Sequence, residues 1–292
     1  MKLLCALLLL LQAAAPTPRF DANRAWDDLR QIVAIGPRPS GSAAIEATRH
    51  YIKTQLAAAG VPVVEQTWED QTPAGPIRMV NLIATVPGAS PDRLIIAGHY
   101  DTKRFRDISF VGASDGGSSA AFLLEFARAL KGRKNPLTIE LVFLDGEEAV
   151  VEWQGDDHTY GSRYYVNQAV RNGTARSIKG LILVDMIGAR DLRIKRDLNS
   201  TRWMTDIIWQ TAAGQQLTPS FRAESTMVDD DHVPFLTAGI PSVDLIDLED
   251  YPAWHTALDD LDHVSARSLQ IVGDVLLAAL PTLESRLTAT SR

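Results

Sequence analysis

Cysteine is almost absent from this chain. Cys5 is the only one in 292 residues, and it lies within the N-terminal stretch Met1–Pro16. That stretch opens on Lys2, runs apolar from Leu3 to Leu11 and closes on Gln12-Ala13-Ala14-Ala15. It has the pattern of a secretory signal and is too short for a membrane span. Residues 1–16 are therefore expected to be removed on export, to the periplasm or the medium, leaving 17–292 without a thiol. Such a chain forms no disulfide, uses no thiolate nucleophile and builds no sulfur-ligated zinc site. Any metal would need Asp, Glu and His. Positive charge is also short: 29 Lys and Arg against 36 Asp and Glu give a net −7. That balance argues against a nucleic-acid partner and, once the signal is gone, against an anionic membrane. No internal repeat and no Pro- or Gly-rich linker divides the chain, so 17–292 reads as a single globular domain.

What is present is an alternation of apolar strands and amphipathic helices. Helices are expected over Asp21–Ile35, from Ser42 to the stop at Gly60, over about Ala120–Leu130 and around Tyr164–Val170. Three more follow, over Trp203–Ala213, over Val233–Ala238 and over about Ala266–Leu287. Strands are expected over Val61–Trp68, Met79–Val86, Arg93–Ala97, Thr138–Leu144, Gly180–Ile187 and Ser242–Ile246, the first two joined by a polar turn. Strands alternating with helices make an α/β fold, three layers deep, with a mixed, largely parallel sheet covered on both faces.

The chain is organised around Leu141–Trp153, where a buried strand breaks into Asp145-Gly146-Glu147-Glu148. In an open α/β sheet chemistry sits at the carboxyl ends of the strands. Neighbouring side chains on extended backbone point opposite ways, so one acid can hold a metal while the next faces a substrate. Other strand ends carry similar groups: His99 and Asp101 after one, Asp185 after another, His255 in a loop after the last, and Asp115 in a glycine-rich loop before a helix. Each has a plain alternative, as a core histidine, a helix cap, a turn former or a surface residue. Their recurrence favours convergence on one crevice. Asp, Glu and His are also the ligands that a four-coordinate zinc accepts, with one position open for substrate or water.

The stretches GPRPSGS, AGHYDTK, FVGASDGGSSAAFLLEFAR, LVFLDGEEA followed by Trp153, YGSR, LVDMIGA, DDHVPFLTAGIP and WHTALDD run in this order from Gly36 to Asp260. On these the chain resembles the M28 type of zinc aminopeptidase-like proteins, and within it the glutaminyl cyclase branch. The resemblance implies a zinc-exopeptidase-like fold, one Zn2+ per chain held by Asp115, Glu148 and His255, and Glu147 as proton shuttle. It places Asp185 and Asp230 in a hydrogen-bonded acidic network and Trp153 and Trp254 on the substrate pocket. It also puts Tyr251 on the aromatic wall of that pocket, where the branch usually has phenylalanine, and Asp229 at a substrate contact, where the animal enzymes have an uncharged amide. The implied activity is cyclisation of N-terminal glutamine of peptides or proteins to pyroglutamate, by a monomer.

Ligand types do not separate this from a dinuclear aminopeptidase, which uses equivalents of His99 and Asp185 as well. A peptidase must generate hydroxide, a task suited to a metal pair. A cyclase already holds its nucleophile, the substrate's α-amine, and needs one Lewis acid and one proton relay. In peptidases of the type the Asp-His pair before the late helix usually follows serine. Here Asp231-His232 follows Asp230, as in the cyclases. A non-catalytic binding domain of the same fold would have lost ligands, and none is replaced.

Overall fold

The computed structural model describes residues 18–289. The expected signal, 1–16, lies outside the described residues. Helix α1 (Ala22–Ile35) starts where the Asp21 carboxylate accepts the amides of Asn23 and Arg24, and buries Ala25, Leu29 and Ile32 along one face. Ser42 caps α2 (Ala43–Ala59) in the same manner, and Gly60 ends it in the left-handed region, where a side chain would be strained.

Six strands form the main sheet: β1 (Val63–Thr72), β2 (Gly75–Val86), β3 (Gly88–His99), β4 (Asn135–Leu144), β5 (Ile178–Asp185) and β8 (Ser242–Ile246), in the order β1-β2-β4-β3-β5-β8. β1 and β2 are antiparallel to their neighbours, whereas β4, β3, β5 and β8 run parallel. Alternation along each strand decides the layers. Leu94 and Ile96 of β3 face a core shared with α1, α2, α3 (Gly117–Ala129), α5 (Arg202–Gly214) and α7 (Ala266–Ala289). Ile95 and Ala97 face the opposite core, against α4 (Tyr160–Arg171) and α6 (His232–Thr237). The fold is the expected three-layer α/β/α arrangement. By length and composition α7 could cross a membrane, but here it packs Leu269, Val272, Leu276 and Leu280 into the first core.

Chain direction places the site. From β3 the chain crosses by α3 to β4, then returns over β3 by α4 to β5, with the two helices on opposite faces. That reversal opens a crevice at the carboxyl ends of the parallel strands. Those ends are His99, Leu144, Asp185 and Ile246.

Several boundaries differ from expectation. The segment read as a polar turn between the first two strands is a continuation of both, paired out to Thr72 and Gly75. Most of it is accessible, so no apolar alternation marks it. β3 starts five residues early, at Gly88, past an irregularity between Ser90 and Arg93. β5 stops at Asp185 because Met186 takes a positive φ of 48°. A second small sheet, β6 (Ile194–Asp197) with β7 (Phe221–Thr226), was not anticipated.

Candidate active site

His255, Glu148 and Asp115 meet at the crevice floor. His255 Nε2 lies 3.2 Å from Glu148 Oε1 and 3.3 Å from Asp115 Oδ2. One ligand atom from each falls within 4.8 Å of the others. On the far side of Asp115, His99 Nε2 lies 3.2 Å from Asp115 Oδ1 and 2.9 Å from Asp185 Oδ1, forming a second convergent group. Glu147 turns the other way from Glu148, its Oε2 3.8 Å from His99 Nδ1. The expected divergence of the two acids is therefore present, although Gly146, at φ 73°, has already ended the strand.

Long-range bonds hold each of these groups. Asp101 accepts the amides of both Glu147 and Glu148, at 3.2 and 3.3 Å, and so fixes the turn that aims them. The Lys103 amide donates to Glu148 Oε1 at 3.0 Å. Asp259 accepts the amides of Ser114 and Asp115 and the Tyr251 hydroxyl. Arg38, fully buried, donates to the carbonyls of Tyr100 and Gly112 and clamps the loop that carries Asp115. At Gly116 (φ 74°) an added Cβ would stand 2.4 Å from the Asp101 carbonyl oxygen, so the loop needs glycine there. His255 itself has φ 54°, unusual for a side-chain-bearing residue. The edges of Phe105 and Phe110 and the stacked Trp254 ring hold it in place.

The donor set asks for a cation. Burial pushes the Glu148 carboxyl up to about 7, with Asp115 adding to the rise. Burial likewise pushes Glu147 well up, reinforced by Asp230 and Glu148. Asp230 is raised by burial and by Asp185 and Asp231. Asp115 would rise on burial too, but His255 and His99 on either side hold it well below the ordinary range. So many buried carboxyls crowd together that they cannot all ionise without added positive charge. Two oxygens and one imidazole nitrogen at this spacing fit a zinc with one position open. Asp115, Glu148 and His255 are the residues that would hold it.

Above this floor lies a cavity of about 340 Å³. Glu147, Asp185 and Asp230 line it together with the candidate ligands, and Trp153, Trp254 and Asp229 stand on its walls. Trp153 and Trp254 are 40% and 44% exposed, as rim residues rather than core. Tyr251 is placed elsewhere: it is 6% exposed, does not line the cavity, and spends its hydroxyl on Asp259. Among the described residues no hydrogen bond joins Asp185 directly to Asp230. Asp185 bonds His99, and Asp230 accepts the Asp231 amide while its Oδ2 has no partner. Met227, Leu248 and Lys103 also line the cavity without having been singled out in the sequence. A larger hollow of about 1140 Å³, between Phe20 and α7, contains none of the strand-end acids.

Comparison with known proteins agrees with this geometry. The model of peptidase family M28 matches residues 81–280. Glutaminyl-peptide cyclotransferase of Boiga irregularis is 31% identical over 299 residues, an alignment covering 89% of this chain and 81% of the relative. The crystal structure of Acidobacteriales bacterium glutaminyl cyclase superposes with a TM-score of 0.88 at 37% identity, over 96% of this chain and all of that one (100%). A Zn-dependent exopeptidase from Parabacteroides distasonis gives 0.82 at 25% identity, over 91% of this chain and 99% of that one.

Proposed function

Since the chain belongs to peptidase family M28 and, within it, to the glutaminyl-peptide cyclotransferases, we propose that it is a zinc-dependent glutaminyl cyclase. It converts N-terminal glutamine of peptides or proteins to pyroglutamate and releases ammonia. The observation that carries this reading is the division of labour at one strand end. Glu148 joins Asp115 and His255, while Glu147 faces the same cavity from outside that group.

Zinc, when bound by Asp115, Glu148 and His255, supplies a Lewis acid for the substrate's γ-carboxamide. The chain's own residues do the rest. The cavity walls, Trp153 and Trp254 among them, hold the glutamine side chain folded towards its own α-amine and keep water scarce. That tethering lowers the entropic part of the barrier. The α-amine nitrogen attacks the carbonyl carbon of the γ-carboxamide, Glu147 accepts the proton that the nitrogen loses, and the new C–N bond closes the five-membered ring. Glu147 then returns the proton to the departing amide nitrogen, which leaves as ammonia. Asp185 and Asp230, which also line the cavity, steady the tetrahedral carbon's substituents.

A second reading has one observation in its favour. His99, Asp115 and Asp185 also converge within 4.8 Å, as a second ion would require. A dinuclear aminopeptidase built that way would release free amino acids from many N-termini. Mass spectrometry of Gln-Xaa peptides incubated with the purified protein separates the two. Loss of ammonia alone, about 17 Da as the proton relay requires, is expected; loss of the whole N-terminal residue would overturn the cyclase reading. We take the working unit to be a single exported chain.

A further inference from the structure

On the cyclase reading, the peptides that the site takes are chosen at the rim of its cavity. Asp229 belongs to the cavity wall and also to both shallow hollows beside it. One hollow, of about 420 Å³, reaches His158, Asn167 and Thr237. The other, of about 660 Å³, reaches Asn199, Met227 and Leu236. With the glutamine side chain and α-amine inside the cavity, the peptide beyond them has to cross the rim. Whichever hollow receives it, Asp229 stands at the entrance.

The carboxylate is fixed there without being neutralised. Its side chain is 58% exposed. Oδ2 accepts a hydrogen bond from Trp153 Nε1 at 3.3 Å, and the Trp153 ring stacks on His158 at 4.1 Å. His158 Nε2 is 3.9 Å from the same oxygen, but burial lowers the pKa of that imidazole against the pull of Asp229. Arg163, the other base of that hollow, is engaged by the carbonyls of Asp156 and His158, by the Asp156 carboxylate and by the face of Tyr160. On the cavity side, the Lys103 ammonium donates to the Ala149 carbonyl at 2.7 Å. Of the basic groups that line these hollows with Asp229, Lys103 and Arg163 are thus committed elsewhere, and burial disfavours the charged form of His158.

We propose that Asp229 makes the cavity rim a subsite for a cationic side chain on the residue that follows the N-terminal glutamine. Peptides beginning Gln-Lys or Gln-Arg are then the preferred substrate class. A carboxylate at a half-exposed rim gives a modest preference, roughly threefold to tenfold, expressed mainly in KM and screened by salt.

The test compares kcat/KM for the amides of Gln-Lys-Gly, Gln-Ala-Gly and Gln-Glu-Gly on the zinc-loaded wild-type protein and on Asp229→Asn. The asparagine keeps an acceptor for Trp153 Nε1. Expected is the order Lys, Ala, Glu for the wild type, with the ratio of Lys to Ala narrowing at high ionic strength and falling towards one in the variant. Equal rates on all three peptides in the wild type, or an unchanged ratio in Asp229→Asn, would overturn the proposal and leave the cyclase reading standing. Should the variant fold poorly, the wild-type ratio and its salt dependence decide. If none of the three peptides loses ammonia, the cyclase reading itself fails.

Discussion

At the scale of single residues, adjacent acids are given different work by what surrounds them. Glu148 points at His255 and Asp115, whereas Glu147 points towards His99 and the cavity. In the proposed reaction Glu147→Gln keeps its shape and loses only the ability to carry a proton. It should retain its metal while ammonia release slows by about two to four powers of ten, as steady-state assays paired with metal analysis would show. The residues behind the ligands matter in another way. Asp259 receives two amides and a hydroxyl and sets the backbone on which Asp115 stands. Asp259→Ala is expected to weaken zinc binding by about 10–100-fold, measurable by competition with a chelator of known affinity. Tyr251→Phe removes the hydroxyl from that carboxylate, and urea unfolding should register a loss of about 1 kcal/mol.

At the scale of elements, the strand ends were the legible part. β4 and β5 are apolar runs that stop at acids, and the same pattern revealed His99 at the end of β3. Local signals of this kind name candidates for a site. They do not reveal what holds it. Asp101 was visible beside His99, but its task could not be read because the amides it binds lie 46 and 47 residues further along the chain. The same holds for Asp259, whose partners Ser114 and Asp115 are 145 and 144 residues away. β6 escaped notice because four residues, two of them basic and one acidic, carry no alternation strong enough to mark a strand. Tyr251 is expected on the pocket wall because it stands where the resembling branch has phenylalanine, but it turns inwards because a buried hydroxyl needs a partner, which Asp259 supplies. The start of α3 offers a test at this scale. Gly116→Ala forces a Cβ against the Asp101 carbonyl and His99 at a positive φ. Thermal unfolding should show a loss of about 1–3 kcal/mol, accompanied by weaker metal retention.

At the scale of the whole molecule, the fold gathers negative charge at one edge of its sheet. Four parallel strands deliver their carboxyl ends there, and Asp115, Glu147, Glu148, Asp185 and Asp230 are all buried close together. Burial raises Glu147, Glu148 and Asp230, and without a cation these groups remain costly to charge. An ion bound only by the folded chain stabilises it by mass action, by about 4 kcal/mol at a thousandfold excess over Kd. Treatment with a strong chelator should therefore lower Tm, and added zinc should restore it.

The number of ions is where a cyclase built on Asp115, Glu148 and His255 parts from a peptidase that also fills His99 and Asp185. Native mass spectrometry of the purified, zinc-saturated protein counts them directly. One zinc per chain, kept in Glu147→Gln and lost in His255→Ala, is the expected result; two zinc ions per chain in the active wild-type protein would contradict it.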